Sequence, residues 1–248
     1  MRGLTNKVAF VTGGSRGIGA GIVRALAAEG VQVAFTYVRG AEPAQALVDE
    51  LTQTGSHVLA LQADTAQPVE VKQAIKAVIA HFGQLDILVN NAGVYVNSPV
   101  DEVAPDEAAL AHLWQVNVHG TAQTVRAASE HLSAGGRIIN IGSGSNIRTP
   151  YAGTSDYAAS KGALAAYTRG WARDLAPRQI TVNIIQPGLI ETDMTPTDPA
   201  TVASLLQPIM LGRFGTAQEV GEVVAFLASA AAGYITGATL NVDGGWSA

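Results

Sequence analysis

The chain is predicted to fold as an α/β protein around a doubly wound, mostly parallel sheet of seven strands flanked by helices. Three observations carry this. Short Val- and Ile-rich runs alternate with helical patterns along the whole length, as expected of right-handed βαβ crossovers. The first run is followed at once by a glycine-rich turn that opens a helix. Hydrophobic residues make up 48% and charged residues 14% of the 248, with a mean hydropathy of +0.21. Such an apolar chain suits strands covered on both faces, with a subunit interface as a further outlet.

The first strand is read at Lys7–Thr12. Thr12-Gly-Gly-Ser-Arg-Gly-Ile-Gly19 follows and opens a helix around 17–29. Glycines let backbone approach a pyrophosphate, and a helix N-terminus supplies free N–H groups and a positive dipole end. The spacing Gly13-xxx-Gly17-x-Gly19 differs from GxGxxG and lacks the Lys-Ser/Thr of an ATP-binding loop. Gly13, Ser15, Arg16, Gly17, Ile18 and Gly19 are therefore candidate dinucleotide contacts. The second strand, Val31–Thr36, runs into Tyr37-Val-Arg39 with no carboxylate for a ribose 2′-OH. Arg16 and Arg39, beside Tyr37, offer guanidiniums to a 2′-phosphate, so NADP(H) is favoured over NAD(H); two solvated surface charges are the plainer alternative.

A helix around 41–54 leads to a strand at His57–Ala63, which ends at Asp64 and Thr65. Asp64 is a candidate acceptor for an adenine amino group. After a helix around 68–82, the strand Asp86–Asn90 ends in Asn90-Asn-Ala-Gly93, with Asn90, Ala92 and Gly93 as cofactor contacts. The next helix spans about 106–132 and contains Asn117, a poor helix former. The strand Arg137–Ile141 delivers Ser143 to its end, where a hydroxyl meets a substrate carbonyl. The helix around 155–175 carries Tyr157 and Lys161 four residues apart, hence on one face. An ammonium beside a phenol favours the phenolate and lowers its pKa, which suits proton transfer to a substrate oxygen. Of 6 tyrosines, only Tyr157 has a lysine at that spacing.

The strand Ile180–Gln186 is followed by Pro187-Gly-Leu-Ile-Glu-Thr192, with Pro187, Gly188, Ile190 and Thr192 as cofactor contacts. The longest irregular stretch is Pro187–Gly215, read as a substrate-binding loop. A helix at 217–228 and a strand at Thr239–Val242 complete the pattern. No linker or change in composition divides residues 1–248, so one domain is expected.

Other classes fit poorly. The net charge of −5 offers no field for nucleic acid. No apolar run reaches the ~18 residues of a membrane span, and no signal peptide opens the chain. Cysteine is absent, which removes disulfides and thiol chemistry. A cytoplasmic location follows as an expectation. The histidines show no metal-binding spacing, so no metal is expected.

Taken together, these motifs resemble the short-chain dehydrogenase/reductase family, of compact Rossmann type, over essentially the whole chain. TGGSRGIG (12–19), Asp64, NNAG (90–93), Asn117, the serine after the fifth strand, YAASK (157–161), PG (187–188) and VDGG (242–245) occur in the family's order. The resemblance implies hydride transfer between a nicotinamide and a carbonyl or alcohol carbon. It implies that Tyr157 is the general acid, Ser143 orients the substrate oxygen, Lys161 binds the nicotinamide ribose and lowers the phenol pKa, and Asn117 holds a relay water. It also implies a homotetramer, with a dimer as the alternative. The family serine usually lies thirteen residues before the tyrosine, where this chain has Gly144; Ser143 is fourteen back and Ser145 twelve. Ser143 is preferred, since an inserted residue in the following loop leaves it at the strand end. Tyr95, Val96, Ser145, Ile147, Tyr151, Leu189 and Met194 are candidates for the substrate pocket.

The leading expectation is an NADPH-dependent carbonyl reductase acting on ketones and aldehydes. A 3-oxoacyl-[acyl-carrier-protein] reductase is the alternative, with Arg126, Arg169 and Arg173 as a basic patch for the carrier. From another class, Gly142-Ser, Arg148-Thr-Pro150 and Gln186–Asp193 also resemble a family member that binds cyclic-di-GMP.

Overall fold

A computed structural model describes residues 2–149, 151–192 and 195–248. The strands are β1 (Val8–Val11), β2 (Gln32–Tyr37), β3 (Val58–Gln62), β4 (Leu85–Asn90), β5 (Leu132–Ile141), β6 (Thr181–Pro187) and β7 (Thr239–Val242). They form one sheet in the order β3-β2-β1-β4-β5-β6-β7, with every neighbouring pair parallel. The helices are α1 (Gly17–Ala28), α2 (Ala41–Gln53), α3 (Pro68–Phe82), α4 (Glu107–Trp114), α5 (Thr121–Ser129), α6 (Ser155–Leu175), α7 (Pro199–Leu206) and α8 (Ala217–Ala228). The expected doubly wound parallel fold is what forms.

Strand periodicity explains the layers. Ala9 and Val11 join one core with Ile22 and Leu26 of α1, Leu47 of α2 and Val220 and Val224 of α8. Val8 and Phe10 point the other way, to Val71 and Ile75 of α3, Val125 of α5 and Trp171 of α6. A strand covered on both faces needs apolar residues at every position, and β1 is buried throughout. Each fully buried Ile, Leu or Phe contributes about 1.5–3 kcal/mol. Helices α1 and α8 touch backbone to backbone: a Cβ on Gly21 would lie 2.4 Å from the Ala217 carbonyl oxygen. Helix α8 is started by a capping box between Thr216 and Glu219.

Three expectations need correction. The helix expected over 106–132 ends at Ser129, and β5 begins at Leu132, ahead of Arg137. Leu132 is buried and pairs with Leu85 before the register shifts, so its apolar side chain joins the sheet rather than the helix. Within that helical run, Gln115–Gly120 is a π turn containing Asn117. The stretch Pro187–Gly215 is not wholly irregular. Pro187 closes β6, and α7 lies inside the stretch, started by Pro199 in its first turn and by the Asp198 carboxylate accepting from the Thr201 N–H.

The strand order reverses between β1 and β4. The loops that leave their carboxyl ends diverge there and open a crevice, the place where ligands settle in such sheets.

Candidate active site

The crevice begins at the turn after β1. Gly13 adopts φ +65°, and a Cβ there would lie 3.1 Å from the Ala92 Cα. A Cβ on Gly19 would lie 2.1 Å from the Gly13 carbonyl oxygen. Only glycine fits the second site, because the neighbour is backbone and cannot move aside. The turn is tied on both sides. Gly14 donates to the Thr36 carbonyl at 2.9 Å, and the Asn91 amide donates to the carbonyls of Thr12 and Gly13 at 3.0 and 2.8 Å. The main-chain N–H groups of Asn91 and Ala92 both reach the Thr12 hydroxyl. The turn thus presents the N-terminus of α1 to the crevice.

Asn91, inside the Asn90–Gly93 motif but not among its expected cofactor contacts, fastens this turn. Asn90 is among those contacts, but its side chain enters the sheet, donating at 2.8 Å to Asn140, which in turn donates to Thr168 at 2.9 Å. Strand alternation decides which of two neighbouring asparagines faces the crevice. Asp64 accepts from the Ala66 N–H at 2.8 Å and lines a cleft of about 520 Å³ with Val38, Gln62, Gln67 and Glu70. The Thr65 carbonyl presses on Gly120, where a Cβ would lie 2.4 Å away. Arg16 and Arg39 are exposed, and Tyr37 is half-buried at the end of β2.

On the far side, α6 brings Tyr157 and Lys161 to one face. Lys161 is 4% exposed. Its Nζ donates to the Ile141 carbonyl at 3.1 Å and stands 5.9 Å from the centre of the Tyr157 ring. Burial pushes its pKa down to about 8. The Tyr157 phenol is shifted in the direction opposite to the sequence expectation. Burial pushes it up, a hydrogen bond with the Ser143 hydroxyl pulls it down, and Tyr95 adds a further upward push; the net direction is up. The physical reason is that Lys161 is anchored on a carbonyl rather than on the phenol, so burial outweighs it.

Of the two candidate serines, Ser143 is the one whose hydroxyl acts on the Tyr157 phenol. Its hydroxyl also accepts from the Ser145 N–H at 3.2 Å, while the Ser145 carbonyl receives the Thr149 hydroxyl. The Asn117 carboxamide is fully engaged: it exchanges hydrogen bonds of 2.9 and 3.0 Å with the main chain of Val94 and donates to Ser160 at 3.1 Å. The Ser160 hydroxyl continues to the Tyr157 carbonyl at 2.7 Å. Gly93 lies over both groups, since a Cβ there would be 3.1 Å from the Lys161 Nζ and 3.3 Å from the Asn117 Oδ1. The π turn therefore aims Asn117 across the crevice at the loop after β4.

The mouth is apolar. Tyr95 stands edge-on to Tyr157 with ring centres 5.0 Å apart, and Tyr95, Ile147 and Tyr151 are exposed. Val96 and Ser145 are half-buried nearby in the chain. Leu189, Ile190 and Thr192 line a second pocket of about 140 Å³ with Thr195, Pro196, Leu205 and Phe214. Met194 lies outside the described residues. Gly188 donates to the Val242 carbonyl at 3.0 Å, so the PG pair after β6 is held by β7. Sequence reasoning missed Trp246 and the place of Arg148 against it. Trp246 is buried against Gly144, and Arg148 donates to its carbonyl at 2.6 Å with the guanidinium 5.8 Å from its ring. A tryptophan directly after a glycine pair, in an otherwise aromatic-poor chain, was the available signal. Among the described residues, no group of His, Asp and Glu could hold a metal ion, and no helix is long and apolar enough to cross a membrane.

Comparisons with known proteins agree with this fold. The family model for enoyl-(acyl carrier protein) reductase matches residues 13–247. An uncharacterized oxidoreductase of Methylorubrum extorquens is 40% identical over 99% of both chains. The cyclic-di-GMP-binding biofilm dispersal mediator protein of Escherichia coli is 38% identical over the full length of both. A 3-oxoacyl-[acyl-carrier-protein] reductase of Synechocystis is 39% identical, covering 99% of this chain and 98% of the other. Among solved structures, a short-chain dehydrogenase/reductase from Serratia marcescens superimposes with a TM-score of 0.95 at 48% identity over 99% of both chains. A short-chain dehydrogenase from Burkholderia cenocepacia, solved in complex with NADP, gives 0.94 at 45% identity over 99% of both.

Proposed function

The chain belongs to the short-chain dehydrogenase/reductase family of oxidoreductases, and we propose that it is an NADPH-dependent reductase of ketones and aldehydes. One observation carries the reading: at the mouth of the crevice, the Ser143 hydroxyl acts on the Tyr157 phenol, and the buried Lys161 ammonium stands 5.9 Å from the centre of its ring.

The residues present fit a nicotinamide dinucleotide. The glycines at 13 and 19 let the turn pack against Ala92 and its own carbonyl, and the turn opens α1, whose N-terminus suits a diphosphate. A side chain at Gly93 would press on the Lys161 Nζ and the Asn117 Oδ1, so glycine there keeps the loop after β4 close to both groups. Gly13, Ser15, Arg16, Gly17, Ile18 and Gly19 would hold the diphosphate side. Asp64 and Thr65 would hold the adenine side, and Ala92, Gly93, Lys161, Gly188, Ile190 and Thr192 the nicotinamide side. Arg16 and Arg39 favour a 2′-phosphate, since no carboxylate ends β2. When bound, the dinucleotide supplies a hydride to the carbonyl carbon.

The remaining chemistry belongs to the chain. Ser143 donates a hydrogen bond to the carbonyl oxygen and orients it. Tyr157 gives that oxygen its proton. Lys161 stabilises the phenolate left behind and binds the ribose. Asn117 fixes the loop at Val94 and stands at the start of the path by which the phenol regains its proton. A raised phenol pKa keeps Tyr157 protonated at neutral pH, which favours reduction; the rate falls as pH rises through that pKa, while alcohol oxidation rises. The same reading makes the chain a single-domain, cytoplasmic homotetramer, which light scattering tests.

The experiment is NADPH consumption over a panel of ketones, aldehydes and acetoacetyl thioesters, with Tyr157→Phe as control. No consumption with any of them sinks the proposal. Turnover of thioesters alone would favour 3-oxoacyl-[acyl-carrier-protein] reduction, the second reading. Exposed Arg126, Arg169 and Arg173 support it, as does the Synechocystis relative. Tight cyclic dinucleotide binding without any turnover would favour a regulatory role like that named for the Escherichia coli relative.

A further inference from the structure

We propose that Gln186 is a positioning residue that holds Ser143 in place against Tyr157, an inference that rests on reading that pair as the reductive site. Gln186 lies near the end of β6 and is fully buried, at 0% exposure. Its Oε1 accepts the Ser143 N–H at 2.5 Å. The same oxygen is the reason position 142 is glycine, since a Cβ there would lie 2.1 Å from it.

The sheet explains why a side chain is needed. The β5–β6 ladder ends at Ile141 with Ile185, and Gly142 donates to the Ile185 carbonyl at 2.8 Å. Ser143 is the first residue past that last rung. Its backbone is still extended, at φ −163° and ψ 143°, but no strand carbonyl meets its N–H. The Gln186 side chain supplies the acceptor that the ladder no longer offers. With the main chain fixed there, the Ser143 hydroxyl accepts from the Ser145 N–H at 3.2 Å and acts on the neighbouring Tyr157 phenol. Gln186 is also paired with Asn241 of β7 and immediately precedes Pro187-Gly188, so it links the root of the substrate loop to the serine.

Its other end makes the placement informative. The Gln186 Nε2 is buried without a hydrogen-bond partner among the described residues. A buried donor left unpaired is unfavourable, so packing alone would favour a leucine or methionine here. The oxygen's contact with Ser143 is the interaction that a glutamine provides and an apolar residue does not.

The test uses the full chain with Gln186→Leu, which removes the acceptor, and Gln186→Glu, which keeps an oxygen for the Ser143 N–H. For Gln186→Leu, kcat for ketone reduction should fall about 10-fold or more, while KM and the NADPH Kd stay within about threefold. Gln186→Glu should recover most of the loss. In a Ser143→Ala background, Gln186→Leu should add less than about twofold, because the hydroxyl it positions is gone. A readout that needs no turnover is the 13Cζ resonance of Tyr157, which reports hydrogen bonding of its phenol. In Gln186→Leu it should move toward its position in Ser143→Ala. An unmoved resonance, an unchanged kcat or fully multiplicative effects would overturn the assignment. Should Gln186→Leu not fold, Gln186→Met carries the same comparison. If the native protein reduces no carbonyl at all, the functional reading fails, and the resonance still decides the role of Gln186.

Discussion

In the turn from Thr12 to Gly19 backbone meets backbone, whereas at the mouth Tyr95, Ile147 and Tyr151 present exposed side chains to solvent. The turn is fixed by contacts that no substitution can relax, such as Gly19 against the Gly13 carbonyl, and by the Asn91 amide across the crevice. The mouth is built from loops between strands and helices, where side chains can change at little cost to the core. The difference teaches a division of labour. One wall suits a ligand that never varies, the other a ligand that evolution can exchange. Tyr157 and Ser143 stand at the border between them.

The largest effect belongs to that border. Tyr157→Phe should reduce turnover by about 10²- to 10⁴-fold while leaving NADPH affinity nearly unchanged, as steady-state kinetics and fluorescence titration would show. Equal loss of both would mean that the tyrosine serves the dinucleotide wall instead. Next comes the rigid wall itself. Gly19→Ala forces a methyl onto a carbonyl 2.1 Å away, and overpacking of this kind costs about 1–3 kcal/mol. A lower melting temperature with at least about tenfold weaker NADPH binding is expected; a variant that melts and binds normally would show the turn to be softer than drawn.

A third test separates the walls by pH. Lys161 titrates near 8 in the folded chain against 10.5 when unperturbed. Its folded pKa is depressed, so the unfolded state binds more protons between those values, and the stability this group permits rises with pH across that window. Denaturant titrations should find the native chain gaining about 3 kcal/mol relative to Lys161→Met from pH 7 to pH 11. A constant difference would place Lys161 in solvent. The smallest effect is expected at the mouth: Ile147→Ala should raise KM for a bulky ketone about threefold with no resolvable change in melting temperature. A large loss of stability there would erase the contrast between the two regions.

Much of the rigid region was legible in the sequence. Glycine spacing, a strand on one side and a helix on the other placed the turn, and β1 and β7 fall where alternation put them, β7 to the residue. The Tyr157–Lys161 pair was legible because helical spacing is local. What was not legible depends on contacts between distant segments. Whether Asn90 or Asn91 faces the crevice is set by strand phase, and the direction of the Tyr157 shift by how deeply the fold buries it. Leu132 joined β5 because Leu85 stands opposite, a partner far away in sequence. Arg148 and Trp246 meet only because β7 returns the C-terminal residues beside the loop after β5. Helix α7 lies inside the Pro187–Gly215 stretch read as irregular, although Pro199 is a helix starter.

The π turn at Gln115–Gly120 has a consequence for how this chain can change over time. Such a turn holds one residue more than the α-helical turn it interrupts. Deleting any one residue within it would restore an ordinary helix and rotate everything on one side by about 100°. Asn117 would then swing off Val94, and the loop roofing the crevice would lose its tether. Most substitutions along this helix should be survivable in a mutational library, whereas single-codon deletions at 115–120 should be purged.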